Sequence, residues 1–230
     1  MSTAPPEAQT QPVSSKLRPW GKQHHFDSFD QQQEASYFGM WLFLAQEVMF
    51  FGGLFTAYIV YRTEHTFAFT LGSRELDVQL GVINTAVLIG SSLTMALAVW
   101  AAQTGRRKAI VAFMILTILL GGVFLGIKTV EYSAKWEHHL VPGPNFHWEG
   151  SQGNRVEMFF NLYFVMTGLH ALHMIIGMVI MAVACWWAWR GAFTPENHNF
   201  IEGLGLYWHF VDIVWIFLFP LLYLLGRNVG

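Results

Sequence analysis

Two ionisable side chains stand inside the last apolar run of the chain. His209 and Asp212 are three residues apart, so they share one face if this run is a helix. In hydrocarbon an ionisable group is costly unless it faces protein and finds a partner. This face is therefore predicted to be buried against neighbouring helices.

Two earlier apolar runs also carry residues capable of chemistry. His170 and His173 are three residues apart, as metal or haem ligands on a bundle helix would be. Glu47 lies in the run 41–53, and a carboxyl group at such a depth is a candidate functional residue. Three roles stay open for Glu47: a hydrogen bond between helices, contact with a lipid headgroup, or the movement of a proton.

The third run ends with a basic and an acidic residue. Lys128 and Glu131 are three residues apart, which predicts an ion pair at the membrane interface, where long side chains reach water, in preference to a proton relay. Gly122 and Gly126 have the spacing of a GxxxG motif, which indicates packing between helices.

The remaining histidines do not form a metal-binding pattern. Those of the long loop at 132–157 lack the fixed spacing that a helix or strand gives to metal ligands, and no metal site is predicted there. A second group precedes the first apolar run and is interpreted as surface residues beside the membrane. The loop histidines are His138, His139 and His147, and the second group is His24, His25, Asp27 and Asp30.

The composition places these residues in a membrane protein. Of 230 residues, 53% are hydrophobic and only 12% are charged. The formal net charge of −2, with no basic block, argues against a nucleic-acid partner. Cys185 is the only cysteine, which excludes an internal disulfide and a paired-cysteine copper site.

Five apolar runs are long enough to cross a bilayer as helices, which takes about 20 residues each. The predicted fold is an all-α membrane protein, a bundle of five transmembrane helices within 37–230. The preceding polar segment, 1–36, is predicted to be disordered over its first fifteen or so residues. It shows no cleavable signal peptide, so the first span is expected to be retained. The spans are about 38–61, 80–101, 109–130, 158–187 and 204–225.

The charges between the spans predict the orientation. The side that carries the N-terminus has seven Lys and Arg residues and the other side has five. The compact cluster Arg106, Arg107 and Lys108 lies on the first side. The positive-inside rule then predicts a cytoplasmic N-terminus and a C-terminus outside.

Four separated motifs carry a family resemblance. They are Gly39-Met40-Trp41-Leu42-Phe43-Leu44 with Glu47-Val48-Met49-Phe50-Phe51; Gly122 and Phe124-Leu125 with Glu131-Tyr132; Thr167-Gly168, His170 and Leu172-His173 with Ile175, Ile176 and Gly177; and His198 and Glu202 with Tyr207-Trp208-His209-Phe210-Val211-Asp212. Over about 36–227 the chain resembles subunit III of the haem–copper respiratory oxidases, in the short five-helix form found in bacteria. Lys128 departs from the pattern, since many relatives have Gln there, and the two extra N-terminal helices of the longer form are absent.

The resemblance implies an accessory subunit of a cytochrome c oxidase in the bacterial plasma membrane. Such a subunit packs on subunit I, belongs to a complex with subunit II, binds phospholipid in a cleft between helices, and supports proton uptake. Haem and copper are expected in partner subunits, with no catalytic residue, cofactor or metal ligand in this chain. The residues expected to bind lipid or to be polar groups within the membrane are Glu47, His170, His173, Arg190, His198, His209 and Asp212.

Other functions stay open. Within the same class, overall similarity favours a cytochrome c oxidase, and the alternative is subunit III of a quinol oxidase or of a nitric-oxide-reductase-associated relative, since partner subunits set the electron donor. From another class, a free-standing b-type cytochrome would use His170, His173 and His209 as haem ligands. A transporter is disfavoured by an odd number of spans without an evident inverted repeat.

Overall fold

The computed structural model describes residues 29–144, 146–148, 152–193 and 198–226. The predictions of disorder near the N-terminus and of a surface role for His24, His25 and Asp27 lie outside these residues, and nothing is described of the Asp30 side chain. All regular structure in the described residues is helical. The elements are α1 (Phe29–Glu64), α2 (Thr66–Arg74), α3 (Val78–Gln103), α4 (Arg107–Glu137), α5 (Gly153–Trp189) and α6 (Asn199–Phe219), which continues into a π-helical segment (Pro220–Leu224).

Five of these helices are long and apolar enough to cross a membrane. This confirms the prediction of an all-α fold with five spans. The first four of these five helices extend beyond the predicted spans at both ends, and the fifth begins earlier than predicted, at Asn199, because backbone hydrogen bonds continue into the polar residues that flank an apolar run. The predicted loop at 132–157 was therefore too long, since α4 continues to Glu137 and α5 begins at Gly153.

Helix α2 was not predicted from the sequence. It follows α1 almost without interruption, and the backbone N–H of Phe69 donates to the carbonyl of His65 at 3.1 Å. The buried Phe69 ring packs edge to face on Tyr58 of α1 and on Phe159 of α5, with centroid distances of 5.3 and 5.5 Å. Packing of this one apolar face keeps α2 against the bundle.

Helix α6 is the central helix of the bundle. It packs against α1, α3 and α5, and 56% of its most apolar stretch is buried, against 17% for α1. Trp208 and Trp215 are fully buried. Their indole N–H groups donate to α3, to Ser91 Oγ at 3.0 Å and to Thr85 Oγ1 at 3.1 Å. Each indole thus finds the acceptor that a buried N–H requires.

Glycines let α4 and α5 approach the bulky rings of α6. A Cβ on Gly177 of α5 would lie 2.8 Å from the Tyr207 ring, and one on Gly121 of α4 would lie 3.1 Å from the Trp208 ring. Gly122 and Gly126 face outward, with nothing within 4 Å of an added Cβ. Their predicted packing role is wrong within this chain. Gly121 makes the contact, because neighbouring residues on a helix point about 100° apart.

Candidate functional site

A cleft of about 630 Å³ lies between α1, α5 and α6. Its mouth, at the end of the bundle where α1 begins, carries Gln32, Tyr37 and Asn199. Its walls are largely apolar and its inner end carries Glu47 and His173. The apolar wall residues are Met40, Phe43, Ile176, Ile180, Phe200 and Leu204.

Glu47 of α1 contacts His173 of α5 at the inner end of the cleft. Its Oε2 lies 3.1 Å from His173 Nε2, and Glu47 is 9% exposed. The other ring nitrogen, Nδ1, lies 2.8 Å from the Leu169 carbonyl, which can only accept. Nδ1 therefore carries a proton. Two forms then allow a hydrogen bond: a protonated Glu47 that donates to a neutral ring, or an ionised Glu47 that accepts from a charged ring. Either form holds one exchangeable proton between the two side chains.

The contact of Glu47 with His173 matches one of the three roles that the sequence left open for Glu47, a hydrogen bond between helices. Contact of Glu47 with a lipid headgroup and movement of its proton stay predictions.

At the mouth, the Glu202 carboxylate joins three helices. It accepts hydrogen bonds from the Tyr37 hydroxyl of α1 and from Gln103 Nε2 of α3, the latter at 2.8 Å. Its Oε1 also lies 3.1 Å from His198 Nε2, at the start of α6. This is where the predicted site residue His198 lies. Sequence reasoning missed Tyr37 and Gln103, because each is an ordinary polar residue at the end of an apolar run.

Arg190 lies away from the cleft. It follows the last residue of α5, it is exposed, and its guanidinium lies over the Trp186 ring at 4.4 Å from the ring centroid. Its predicted part in lipid binding stays a prediction, and the geometry places it at a helix end on the outside of the bundle.

His170 contacts different helices from its neighbour His173. It is 1% exposed, stacked on Trp215 of α6 at 5.3 Å and edge-on to Phe124 of α4 at 5.5 Å. Neither ring nitrogen has a hydrogen-bond partner among the described residues. The two histidines do share one broad face of α5, but His170 lies in the core and His173 reaches across the cleft to α1.

His209 and Asp212 line a second concavity, between α3 and α6. His209 Nδ1 lies 2.7 Å from the Ser92 hydroxyl of α3. Asp212 is 3% exposed, and its carboxylate oxygens have no hydrogen-bond partner in the described part of the chain. The sequence correctly placed the two residues on one face of α6, and both line the same concavity, but only His209 has a hydrogen-bond partner among the described residues.

The structure corrects the prediction that Lys128 and Glu131 form an ion pair at the membrane interface. The ion pair exists, with Nζ and Oε2 2.8 Å apart, but both side chains are buried and do not reach water. The Tyr223 hydroxyl accepts from Lys128 at 2.7 Å and donates to Glu131 at 2.5 Å, and the ammonium lies 4.7 Å from the Trp215 ring centroid. The interfacial interpretation was wrong because the π-helical segment after α6 brings Tyr223 back over the pair.

The described histidines and acidic residues do not gather in threes as metal ligands would. This statement covers only the described ranges, and residues such as His24 and His25 lie outside them. The candidate functional features of the described bundle are the cleft with its Glu47–His173 pair, the Glu202 cluster at the mouth, the buried Lys128 cluster, and the concavity at Asp212.

Comparisons with known proteins agree with this architecture. The family model described as "Cytochrome c oxidase subunit III" matches residues 23–227. The cytochrome bo(3) ubiquinol oxidase subunit 3 of Pseudomonas aeruginosa is 33% identical over 189 residues, which is 82% of this chain and 84% of that protein. The cytochrome c oxidase subunit 3 of Thermostichus vulcanus is 34% identical over 190 residues, covering 82% and 87%. The quinol oxidase subunit 3 of Bacillus spizizenii is 33% identical over 189 residues, covering 82% and 86%.

The family model covers the whole described bundle, and the three relatives match most of this chain and most of their own length. They confirm the family that the motifs indicated. The chain belongs to the cytochrome c oxidase subunit III family and is a multi-pass membrane subunit of a respiratory terminal oxidase complex.

Proposed function

We propose that this chain is a non-catalytic subunit that packs on subunit I of the oxidase, holds a phospholipid in the cleft between α1, α5 and α6, and thereby stabilises the complex and supports its proton uptake. The cleft is the observation that carries the proposal. Electron transfer and oxygen reduction belong, in this proposal, to haem and copper groups in partner subunits. The membrane is the bacterial plasma membrane.

The cleft suits a phospholipid by its polarity and its depth. Tyr37, Asn199 and the Glu202 cluster place hydrogen-bonding groups at the level of a headgroup. Further in, the aliphatic side chains of Ile176 and Leu204 line the space that an acyl chain would fill. Burying methylene groups there contributes about 0.8 kcal/mol each relative to water, but much less relative to the bilayer, so the polar mouth must supply the preference for one bound lipid.

The Glu47–His173 pair closes the inner end of the cleft. Because it joins α1 to α5, it holds the two walls of the cleft at a fixed separation. Its single exchangeable proton also lies beside the cleft, so a carboxyl group that exchanges this proton with an adjacent subunit would support proton uptake without any redox centre in this chain.

The test is to fill the cleft without disturbing the pair. Gly39 lines the cleft and has no atom within 4 Å of an added Cβ, so Gly39→Leu should fit the backbone and occupy lipid space. Gly53 of the same helix has equal room and lies outside the cleft lining, which makes Gly53→Leu the matched control. We expect the purified Gly39→Leu complex to retain less phospholipid per haem, by mass spectrometry, and to lose activity faster during turnover. Equal lipid content and equal inactivation rates in the two variants would contradict the lipid-binding role.

The electron donor defines two candidate functions within this class. We propose a cytochrome c oxidase first, and a quinol oxidase second because relatives named quinol oxidases match this chain as well as those named cytochrome c oxidases. The same purified complex decides between them by oxygen consumption with reduced cytochrome c or with ubiquinol, and by its reduced-minus-oxidised spectrum. Purification of this chain alone with a b-type haem bound to it would overturn the accessory role.

A further inference from the structure

Asp212 is a buried carboxyl group whose partners are incomplete within this chain. The Ser92 hydroxyl lies near Asp212 but not in hydrogen-bonding geometry, and it bonds His209 Nδ1 at 2.7 Å. A hydroxyl donates one hydrogen bond, whereas a carboxyl group offers two oxygens with about two acceptor positions each. At least one oxygen of Asp212 is therefore left without a donor among the described residues.

Asp212 lies in a groove that opens to the outside of the bundle. The groove has a volume of about 500 Å³ and lies between α3 and α6. Its rim is aliphatic and outward-facing: Leu93 is 62% exposed and Ile213 is 50% exposed. We call it the Asp212 groove, and its lining is Thr85, Leu88, Ile89, Ser92, Leu93, Ala96, His209, Asp212, Ile213, Trp215 and Ile216.

The two hydroxyl groups of the Asp212 groove already have partners. The Thr85 hydroxyl donates to the Gly81 carbonyl at 2.8 Å and accepts from the Trp215 indole at 3.1 Å. The Ser92 hydroxyl bonds Nδ1 of His209, whereas Nε2 of that ring has no hydrogen-bond partner among the described residues. The groove therefore presents the Asp212 carboxyl group, beside the His209 ring, inside a largely aliphatic lining, and a molecule that fills it must be able to donate a hydrogen bond.

Depth decides what kind of molecule can meet that requirement. Asp212 lies about 20 Å from the Asn199 end of its helix and about 18 Å from the Leu224 end, at roughly 1.5 Å per residue. It is therefore near the middle of a hydrocarbon core about 30 Å thick, beyond the reach of headgroups from either surface. Acyl chains do reach it but have no hydrogen-bond donor. A donor at this depth must be carried by protein, on another membrane-spanning helix.

We propose that the Asp212 groove binds a transmembrane helix of a partner subunit, which places a hydroxyl, amide or amine side chain against the Asp212 carboxyl group. The partner's donor completes a carboxyl group that is costly to leave unpaired in hydrocarbon. The aliphatic rim packs on the same helix. This inference rests on the proposed membership of an oxidase complex and adds to it the face by which the chain docks.

Site-specific photo-crosslinking in the intact membrane complex tests the inference while leaving Asp212 unchanged. A photoreactive phenylalanine analogue replaces Leu93, at the rim of the groove on α3. The matched control carries the same analogue at Leu119 on α4, which is 60% exposed against 62% for Leu93 and lies outside the groove lining. We expect the Leu93 position to crosslink to a protein partner and the Leu119 position to crosslink at least tenfold less. Lipid adducts alone at Leu93, or equal protein crosslinking at both positions, would overturn the inference.

Substitution of Asp212 tests the hydrogen bond itself. Asp212→Asn keeps an acceptor oxygen, whereas Asp212→Leu keeps only the volume. We expect the subunit to dissociate from the complex at a lower detergent concentration with Leu than with Asn, and equal dissociation of the two variants would contradict a donor from the partner.

A tagged chain that purifies without any haem-bearing subunit would refute the proposed function. A chain that purifies with such a subunit, but crosslinks to it through another face, would refute only the docking inference.

Discussion

Glu47 and His173 show what one buried contact can do in a membrane helix bundle. They are far apart in the chain and meet at 3.1 Å, where they join α1 to the rest of the bundle. Hydrogen bonds between membrane helices are typically worth about 0.6 kcal/mol and at most about 1.7 kcal/mol, because the separated helices also find partners. The pair therefore positions α1 and contributes only modestly to stability.

Two substitutions of Glu47 distinguish the effect of its hydrogen bond on stability from the effect of its exchangeable proton on proton uptake. Glu47→Gln keeps a donor toward His173 Nε2, so we expect stability and lipid content near those of the unmodified complex. Glu47→Leu removes the bond and should cost about 1 kcal/mol in a thermal unfolding experiment on the purified complex. His173→Leu, alone and combined with Glu47→Leu, completes a double-mutant cycle. A coupling free energy of zero would show that the contact has no energetic role, and slower proton uptake in Glu47→Gln alone would assign the proton a role.

Lys128 and Glu131 form a pair that should contribute more to stability than Glu47 and His173, since both charges are buried. Removing one partner of a buried ion pair costs about 3–5 kcal/mol, because the other charge stays behind without compensation. We expect Lys128→Met to destabilise the bundle by that amount, and Lys128→Gln to cost less because an amide still donates to Glu131. The control is Lys108→Met on the same helix, where the side chain is exposed and the change should lie within about 0.5 kcal/mol. Equal unfolding midpoints for the two Met variants would contradict a structural role for the buried pair.

At the scale of elements, Gly177 is a small residue at a close approach of α5 to α6. Gly177 faces the rings of Tyr207 and Trp208, which leave too little room for a Cβ. Gly168, on the same helix, has open space beside it. Substitution of Gly168 therefore reports the helix propensity of the new residue alone, whereas substitution of Gly177 also reports the packing of α5 on α6.

Alanine substitution at these two glycines should act in opposite directions. Gly177→Ala should destabilise the bundle by about 1–3 kcal/mol, because the Tyr207 ring or the helix must move. Gly168→Ala should be neutral or stabilising by up to about 1 kcal/mol, since Ala is the better helix former. The measurement is the thermal unfolding midpoint of the purified complex. A Gly177→Ala complex as stable as Gly168→Ala would show that α5 and α6 are farther apart than described.

At the scale of the whole molecule, five spans place the chain termini on opposite sides of the membrane. The loop after α3 and the start of α6 then lie on the side of the N-terminus, and the end of α4 lies on the other side. The positive-inside rule still predicts that the first side is cytoplasmic, from the cluster at Arg106, Arg107 and Lys108.

Thiol labelling in intact cells tests this orientation. In a Cys185→Ala background, Thr104→Cys and Glu137→Cys place single exposed thiols at opposite ends of the bundle. We expect a membrane-impermeant maleimide to label the Glu137 position in intact cells, and the Thr104 position only after the membrane is permeabilised. The reverse pattern would invert the predicted topology.

The sequence by itself determined the five membrane spans and the family. Hydrocarbon forces each backbone segment to satisfy its own hydrogen bonds, so an apolar run of sufficient length must be a helix. Among the described residues, α2, which is too short to span, and the π-helical end of the fifth span escaped prediction. The sequence also identified Glu47, His173 and Asp212 as polar groups at membrane depth, because the cost of such groups makes them conspicuous.

Only the tertiary structure decided which partner each polar group has. Helical periodicity assigns a residue to a face of its own helix, but it does not set the rotation or depth of the helix that packs there. For this reason the pairing of Glu47 with His173, the burial of Lys128 by Tyr223, and the choice of Gly121 over Gly122 as the contact glycine became visible only with the helices in place. The same reason applies to Asp212, whose helix was predictable and whose incomplete surroundings were not.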